Sequence, residues 1–437
     1  MFTGRPSMRS LPAAVFGRLG LLAAGPVAVH LALFHGVEAV VATVVICFAV
    51  VVWPRPDVAL LMLLGLVPVA AVADPGGTTL PVMGTGAVGL ILVRIALIGL
   101  RPRLDLLLIL LLGCGVAVSC LLPQQTFSVA HPWKLCALLL AGLGLLAASA
   151  LTPPDPRHIA QVVACSGAGV AVYLVIRGEY ASDRLTGLGL NPNYVGSVLA
   201  LSLVAGVGAA RFHRSWAWLL PAAACAYALL ETRSRGAFVM AAAGLACVLL
   251  VGRRPRYKVL IVLAIAAATL LLPSSLDTVE DNLTGSRTST ELVANTEVRK
   301  RAAEVALQVA FDHPLRGIGY ARFPEYARTS PALGIYINTH NDYLRVAAEA
   351  GIVTLALLVA LMWLGLARRY AADHAVLQAL GVSYAVGLLF ANTLTDLLVS
   401  TPFWISLGCL LAHAGHRKRD PSTLSTPLPS PHVRTAE

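Results

Sequence analysis

Long apolar runs alternate with short polar or proline- and glycine-containing breaks along almost the whole chain. As helices rising roughly 1.5 Å per residue, runs of about 17 residues or more can cross about 30 Å of hydrocarbon. Fourteen such runs can be delimited, at 15–36, 37–53, 57–73, 84–100, 104–122, 133–151, 158–176, 193–210, 216–231, 235–251, 257–273, 351–367, 375–391 and 396–414. Several are near the lower length limit, so we expect about 12–14 transmembrane helices.

The composition supports this interpretation. Only 13 % of the 437 residues are charged, about half the roughly 25 % typical of soluble domains, which excludes an ordinary soluble enzyme. A transmembrane β-barrel would need short strands of alternating hydrophobicity, and the sequence has long uninterrupted runs instead. We therefore predict an all-α polytopic integral membrane protein.

Basic residues are distributed unequally between the two sides that the runs define. If the N-terminus is cytoplasmic, 19 of the 33 Lys and Arg residues fall on the cytoplasmic side, and the short outer loops near 36, 74–83 and 391–396 carry none. This is the asymmetry that the positive-inside rule describes. The sequence therefore predicts that both termini are cytoplasmic, and most of the basic residues report orientation.

One long polar segment interrupts the series of runs. Residues 274–350 carry 8 basic and 10 acidic side chains. They follow the eleventh run, so a chain that starts in the cytoplasm places them outside. Within this segment, Asn295 or Thr296 can cap a helix with apolar residues at a 3.6 period, which Pro314 ends. The expected division is an N-terminal bundle of about 11 spans (1–273), one large extracytoplasmic loop (274–350), about 3 C-terminal spans (351–415) and a disordered cytoplasmic tail (416–437).

The segment of this loop that most suggests chemistry is Thr339-His340-Asn341-Asp342-Tyr343-Leu344. Thr339 with Asp342 three residues later is a capping-box pattern, which would place His340 in the first turn of a helix. The helix dipole there disfavours an imidazolium, so the ring would be neutral and able to accept a proton. His340 is a candidate general base, and the alternative is a surface histidine beside a helix cap.

Arginines outside the spans form the second group of candidates. Arg233 and Arg235 flank Ser234 at the outer end of the ninth run, where the positive-inside bias disfavours them. A phosphate would compensate these charges, because the guanidinium fork matches phosphate oxygens bidentately. The alternative is snorkelling, or pairing with Glu231.

Two further arginines lie on the same predicted side. Arg299 opens a basic turn on the loop helix, and Arg184 shortly precedes Asn193. Either arginine could simply belong to a solvated polar face. Taken together with His340, the external arginines predict a pocket for an anionic lipid-linked substrate.

Metal chemistry is not expected from this sequence. It contains no Asp-x-Asp, His-Glu-x-x-His or Gly-rich phosphate-loop motif. The adjacent carboxylates Glu280 and Asp281 are the one alternative for a divalent cation. We therefore expect no metal and no other cofactor.

Three blocks follow one another around the long loop. They are Thr232–Gly236 at the start of a span, Arg299–Gly319 ending in Asp-His-Pro-Leu-Arg-Gly-Ile-Gly, and His340–Leu344 followed by Glu349–Ile352. In this set and order the sequence resembles the O-antigen ligase and polymerase family of bacterial envelope proteins. The resemblance covers about residues 184–370, and the family commonly has about twelve spans.

This resemblance implies a type C glycosyltransferase-like helical bundle in the bacterial plasma (inner) membrane, with its active site facing outside. It implies metal-independent transfer, with inversion, of a glycan carried on undecaprenyl pyrophosphate. His340 matches the family's catalytic histidine, Arg235 its arginine after the Ser-Arg-Gly turn, and Arg299 its loop-helix arginine. The residues expected to bind substrate are Arg233 (also an alternative to Arg235), Arg184, Asn193, Gly317, Gly319 and Asn341.

The acceptor and the reaction class stay open at this point. An O-antigen ligase would use a lipid-linked or glycan acceptor, a polymerase the growing chain, and a protein O-oligosaccharyltransferase a protein hydroxyl. The expected partners are the lipid-linked donor, one of these acceptors and membrane lipids, and no nucleic acid. A lipid-linked sugar transporter is the second alternative, although repeated halves and ionisable midplane residues, typical of transporters, are not evident.

Overall fold

The computed structural model describes residues 54–73, 79–98, 103–123, 132–250, 289–368, 370 and 372–417. The predicted runs at 15–36, 37–53 and 257–273, and the tail after residue 417, lie outside these residues. The bounds below refer to the described part of the chain.

Fourteen α-helices make up most of the described residues. They are α1 (Pro56–Ala73), α2 (Thr79–Ile98), α3 (Leu104–Leu121), α4 (Pro132–Leu151), α5 (Pro156–Arg177), α6 (Pro192–His213), α7 (Leu219–Thr232), α8 (Arg235–Leu249), α9 (Ser289–Asp312), α10 (Phe323–Thr329), α11 (Asp342–Ala350), α12 (Ile352–Leu366), α13 (Ala372–Gly387) and α14 (Leu397–Arg417). A 3₁₀ turn, Trp216–Trp218, precedes α7.

Each of the eleven predicted runs that fall in the described residues coincides with one helix. Six helices are long and apolar enough to cross a membrane, namely α1, α3, α4, α5, α6 and α14. Shorter apolar helices lie within α2, α8 and α12. The prediction of an all-α polytopic membrane protein is confirmed.

Local sequence accounts for the starts of two central helices. Asp155 and Asn191 are the N-cap residues of α5 and α6, and their side chains accept hydrogen bonds from backbone N–H groups of the first turn. Pro156 and Pro192 follow as the first helical residues, where proline costs no hydrogen bond. These Asp-Pro and Asn-Pro pairs therefore fix where the two helices begin.

Helix α14 lies at the centre of the bundle. Its apolar stretch Leu397–Ala414 is 94 % buried, and it packs mainly against α4 and α13. The ring of Phe403 stacks on Tyr384 of α13 with centroids 4.5 Å apart, and Trp404 beside it is fully buried. The position of the polar segment that precedes α14 is therefore fixed by the core of the molecule.

The described part of the long loop forms a small helical unit on α11. Helix α9 begins at Ser289, so the predicted caps Asn295 and Thr296 lie inside it and that prediction is wrong, whereas its end before Pro314 is confirmed. The predicted apolar face of α9 is buried against residues of α10, α11 and the segment between α9 and α10. This cluster consists of Val305, Ala306, Val309, Ile318, Phe323, Ala327 and Ala348.

A short hairpin between α5 and α6 departs from the all-α expectation. Strand β1 (Tyr180–Ala181) pairs antiparallel with β2 (Arg184–Leu185). Ser182 and Asp183, at the turn, have φ values of 49° and 58°, the left-handed conformation that tight two-residue hairpins require. The hairpin brings Arg184 to the ends of α7 and α6.

Candidate active site

His340 lies in a turn immediately before α11. Asn341 is the N-cap, and its side-chain oxygen accepts a hydrogen bond from the Leu344 N–H at 3.1 Å. The Thr339 hydroxyl instead donates to the carbonyl oxygen of Asn341 at 2.9 Å. The predicted capping box is therefore wrong, because the helix begins at Asp342 and His340 precedes it.

The backbone of His340 adopts an uncommon conformation. Its φ is +52°, in the left-handed region that residues other than glycine rarely adopt. Such a conformation costs of order 1–3 kcal/mol and persists where the surroundings over-determine it. The neighbouring Thr339 is 3 % exposed, so the turn is held from the inside of the protein.

The charge state of His340 depends on its burial and on Arg299 of α9. Burial and the positive charge of Arg299 lower the pKa of His340 to about 4. The imidazole is therefore neutral near pH 7, as the sequence predicted, but burial and an arginine are the causes and not a helix dipole. The fold thus places two of the three predicted catalytic residues within electrostatic range of each other.

A buried ionic network lies behind the His340 turn, on α11. The Arg345 guanidinium donates from Nε to Glu349 Oε2 at 3.1 Å and lies 3.8 Å from Asp342 Oδ1. It also lies over the Tyr320 ring, 5.2 Å from its centroid. Burial raises the pKa of Asp342 to about 6. All three ionic side chains are at most 6 % exposed, so the network fixes α11 rather than meeting solvent.

Glu349 connects this network to the loop before α10. Its two carboxylate oxygens accept hydrogen bonds from the backbone N–H groups of Ala321 at 2.8 Å and Phe323 at 2.9 Å. Its backbone carbonyl oxygen accepts from the Ser119 hydroxyl of α3. Sequence reasoning placed Glu349 in a family block but missed this role. The signal that could have indicated it was a single acidic residue within an apolar stretch.

Gly317 and Gly319 pack against the end of α11. The Ile318 N–H donates to Ala348 O at 2.9 Å and the Gly319 N–H to Glu349 O at 3.0 Å. Gly317 has a φ of +61°, and a Cβ there would overlap the backbone of Glu349. These contacts explain glycine at position 317 by packing, and substrate binding by either glycine stays a prediction.

Arg184, Asn193 and Ser234 form a second cluster. Arg184 is 8 % exposed; it donates to the Thr232 carbonyl oxygen at 3.0 Å and to Asn193 Oδ1 at 2.9 Å. The Ser234 hydroxyl donates to the same Asn193 oxygen at 3.0 Å. Ser234 is also the N-cap of α8, so the cluster sets where that helix begins.

The two adjacent arginines occupy different positions around this cap. Arg233 is half-buried and ends α7 in the left-handed conformation, with a φ of 47°. Arg235 is the first residue of α8 and is exposed. Of the two, Arg235 therefore has the more accessible guanidinium, at a helix start held by Asn193 and Arg184.

The segment between α13 and α14, residues 388–396, joins the two clusters. On one side, Tyr194 of α6 donates its hydroxyl to the Asn392 carbonyl oxygen at 2.6 Å. On the other, the Asn392 side-chain amide donates to Thr339 Oγ1 at 3.1 Å and to Asp342 Oδ1 at 3.3 Å. The His340 turn and the start of α6, which carries Asn193, thus meet through one residue.

Phe390 of the same segment lies against the start of α8. A Cβ on Gly236 would be 2.9 Å from Phe390 Cβ, so Gly236 permits the close approach of helix and segment. Sequence reasoning treated 391–396 as a short outer loop without Lys or Arg and missed Asn392. The polar sequence Asn-Thr-Leu-Thr-Asp between two apolar runs was the signal that could have identified it.

Residues 220–359 match the family model described as O-antigen ligase. This part of the chain is an O-antigen ligase domain. The O-antigen ligase domain begins in α7, ends in α12 and contains Arg233, Arg235, Arg299, Gly317, Gly319, His340 and Asn341. Arg184, Asn193 and the 388–396 segment lie outside it. No curated protein matches the chain.

The O-antigen ligase domain indicates an O-antigen ligase-like function in a multi-pass membrane protein. Its match supports glycan and acceptor substrates in general. Among the described residues, no group of three or more His, Cys, Asp or Glu side chains is placed to hold a metal ion.

Proposed function

We propose that this protein transfers a glycan from undecaprenyl pyrophosphate to an acceptor hydroxyl at the outer face of the plasma membrane. The proposal includes cytoplasmic termini and an inverting, metal-independent reaction. The single observation that carries it is the placement of His340 in the turn before α11, where burial and the positive charge of Arg299 keep its imidazole neutral. A base in its proton-accepting form beside a cation is what activation of a hydroxyl next to a pyrophosphate requires.

In the proposed step, His340 removes the proton of the acceptor hydroxyl as its oxygen attacks the anomeric carbon. The bond between that carbon and the pyrophosphate oxygen breaks, and the electron pair leaves with undecaprenyl pyrophosphate. General base catalysis of this kind contributes roughly 10² to 10⁴-fold in rate. Inversion follows because attack and departure occur on opposite faces of the carbon.

The pKa of His340 in the free protein is lower than a base working at neutral pH needs. The bound pyrophosphate would change this, because its negative charge next to Arg299 offsets the positive charge that lowers the pKa of His340. Donor binding would therefore raise the basicity of the imidazole. In this way the donor itself would prepare the base.

Arg299 and Arg235 are the proposed contacts of the departing pyrophosphate. Guanidinium groups stabilise charge that develops on phosphate oxygens without a metal. Arg184 and Asn193 have a supporting role in this scheme, because they bind each other and the cap of the helix that begins with Arg235. Direct substrate contacts by Arg184 are disfavoured by its burial.

The test is glycan transfer by purified protein in liposomes containing the lipid-linked donor and an acceptor. His340→Ala should abolish transfer while the protein stays in the membrane at its normal level. His158→Ala is the matched control, because His158 is an exposed histidine at the start of α5. Transfer by His340→Ala at the wild-type rate would refute the proposed base.

The acceptor can be assigned by analysing envelope glycans after deletion of the protein. Long chains left on the carrier would identify a ligase, and single repeat units a polymerase. Loss of glycan from a secreted protein alone would identify a protein O-oligosaccharyltransferase. Movement of the donor across liposomes without any transfer would support the transporter instead.

A further inference from the structure

We propose that Asn392 is a positioning residue that holds the His340 turn in the conformation used for transfer. This inference rests on the proposed function, since it assigns a second residue to the same site. Asn392 belongs to a segment outside the O-antigen ligase domain, so the family match does not include it.

The side-chain amide of Asn392 bridges the two ends of the turn. Its nitrogen lies 3.1 Å from Thr339 Oγ1, just before His340, and 3.3 Å from Asp342 Oδ1, just after Asn341. The residue is 5 % exposed, so water does not compete freely for these bonds. One NH₂ group therefore closes the turn that carries the proposed base.

The chemistry of the partners fixes which way this amide faces. The Asp342 carboxylate can only accept hydrogen bonds while it is ionised. The Thr339 hydroxyl uses its single proton to donate to the Asn341 carbonyl oxygen. Both partners therefore need a donor, and the Asn392 NH₂ group supplies it.

Asn392 is itself anchored from both sides. Its carbonyl oxygen accepts the hydrogen bond of the Tyr194 hydroxyl at 2.6 Å, and the nearby Leu394 N–H donates to Asp342 Oδ2 at 2.8 Å. The turn is thus tied to α6 and to the segment that leads into α14, and both helices lie in the bundle. An anchored donor is suited to hold a backbone conformation as uncommon as that of His340.

The charged groups around the turn come from several elements. Arg299 of α9 acts on His340 directly, and Arg345 of α11 lies 3.8 Å from Asp342. Asp396, at the end of the same segment as Asn392, caps α14 through the backbone N–H groups of Leu398 and Val399. Release of the turn would change the burial of His340 without removing any of these charges.

Asn392→Ala removes both bonds of the bridge. We expect kcat to fall at least about tenfold, because small displacements of a catalytic group are costly, while the donor KM changes less than about twofold. The acidic limb of the pH profile should move to higher pH, since a more solvated His340 is easier to protonate. Tyr343→Phe is the matched control, because it removes the α11-to-α13 hydrogen bond to Ala385 O at 2.8 Å and leaves the bridge intact.

Asn392→Asp separates hydrogen-bond donation from packing. The variant fills the same volume, but it can donate only while it or Asp342 holds a proton. The ratio of its kcat to that of wild type should therefore fall as the pH rises. A ratio that does not change with pH would show that Asn392 only fills space.

A second readout does not depend on transfer. The rate at which diethyl pyrocarbonate modifies His340, followed by mass spectrometry of its peptide, should increase in Asn392→Ala and not in Tyr343→Phe. If wild type transfers glycan but Asn392→Ala keeps its kcat, pH profile and His340 reactivity, the positioning role is refuted and the function stands. If wild type transfers nothing, the function fails, and the reactivity of His340 still decides whether Asn392 holds the turn.

Discussion

The guanidinium of Arg299 on α9 acts electrostatically on the imidazole of His340 in the turn before α11. Together with burial it lowers the pKa of His340 to about 4, so protonation at neutral pH is suppressed. The two residues are far apart in the sequence, and α9 reaches α11 through a shared apolar cluster. The placement of an amphipathic helix therefore contributes, beside burial, to the charge state of the proposed base.

Removing the charge of Arg299 should raise the pKa of His340 towards its ordinary value near 6.5. In Arg299→Gln, His340 should become protonated at a higher pH than in wild type, and its reaction with diethyl pyrocarbonate should decline below that pH. The rate of modification against pH, measured by mass spectrometry, checks this. Lys300→Gln, at the next and exposed position of α9, should leave the midpoint unchanged, and an unchanged midpoint in Arg299→Gln would contradict the assignment.

Loss of the Glu349 carboxylate should destabilise the protein strongly. Glu349→Ala removes a buried partner of Arg345 and the acceptor of two backbone N–H groups, and breaking a buried pair typically costs about 3–5 kcal/mol. The measurement is thermal unfolding in detergent. Glu325→Ala breaks a pair with Arg328, which is 61 % exposed, and should cost less than about 1 kcal/mol; equal costs would show that the buried network is unimportant.

Gly317 should tolerate no side chain. Gly317→Ala would place a Cβ in the backbone of Glu349 at a positive φ, so we expect more than about 2 kcal/mol of destabilisation from overlap and strain together. Gly334→Ala is the comparison, because Gly334 has a similar φ of +64° and open space around it. Its cost should be about 1–2 kcal/mol from the left-handed backbone alone, and thermal unfolding of both variants separates overlap from backbone strain.

Asn193 should matter through the start of α8. Asn193→Ala removes the oxygen that accepts hydrogen bonds from both the buried Arg184 guanidinium and the Ser234 hydroxyl. Loss of this shared acceptor should lower the free energy of unfolding by about 1–3 kcal/mol. Asn193→Asp keeps an acceptor oxygen beside Arg184 and should cost less. Thermal unfolding gives the costs, and the donor KM of both variants tests whether Arg235 is displaced; Asn193→Ala with wild-type stability would contradict the described cluster.

The order of the elements could be predicted from the sequence because its signals are local. Within a membrane each helix satisfies its own backbone hydrogen bonds, so the length and spacing of apolar runs locate helices without knowledge of their neighbours. Pro314 likewise stops α9 by removing a backbone donor. The sequence blocks with His340, Arg299 and Arg235 pointed to the family that the match to residues 220–359 supports.

The details of the site depended on packing between distant segments. Thr339 and Asn341 are both competent caps by residue type, and the bridge from Asn392 occupies Thr339, so Asn341 caps α11 and His340 is left outside the helix. The low pKa of His340 likewise comes from burial in the assembled fold and from Arg299 on another helix. Residue types and periodicity determined the spans, the end of α9 and the candidate residues. Which candidates meet, and in what charge state, was decided only by the tertiary structure, because contacts between segments distant along the chain depend on how the whole bundle packs.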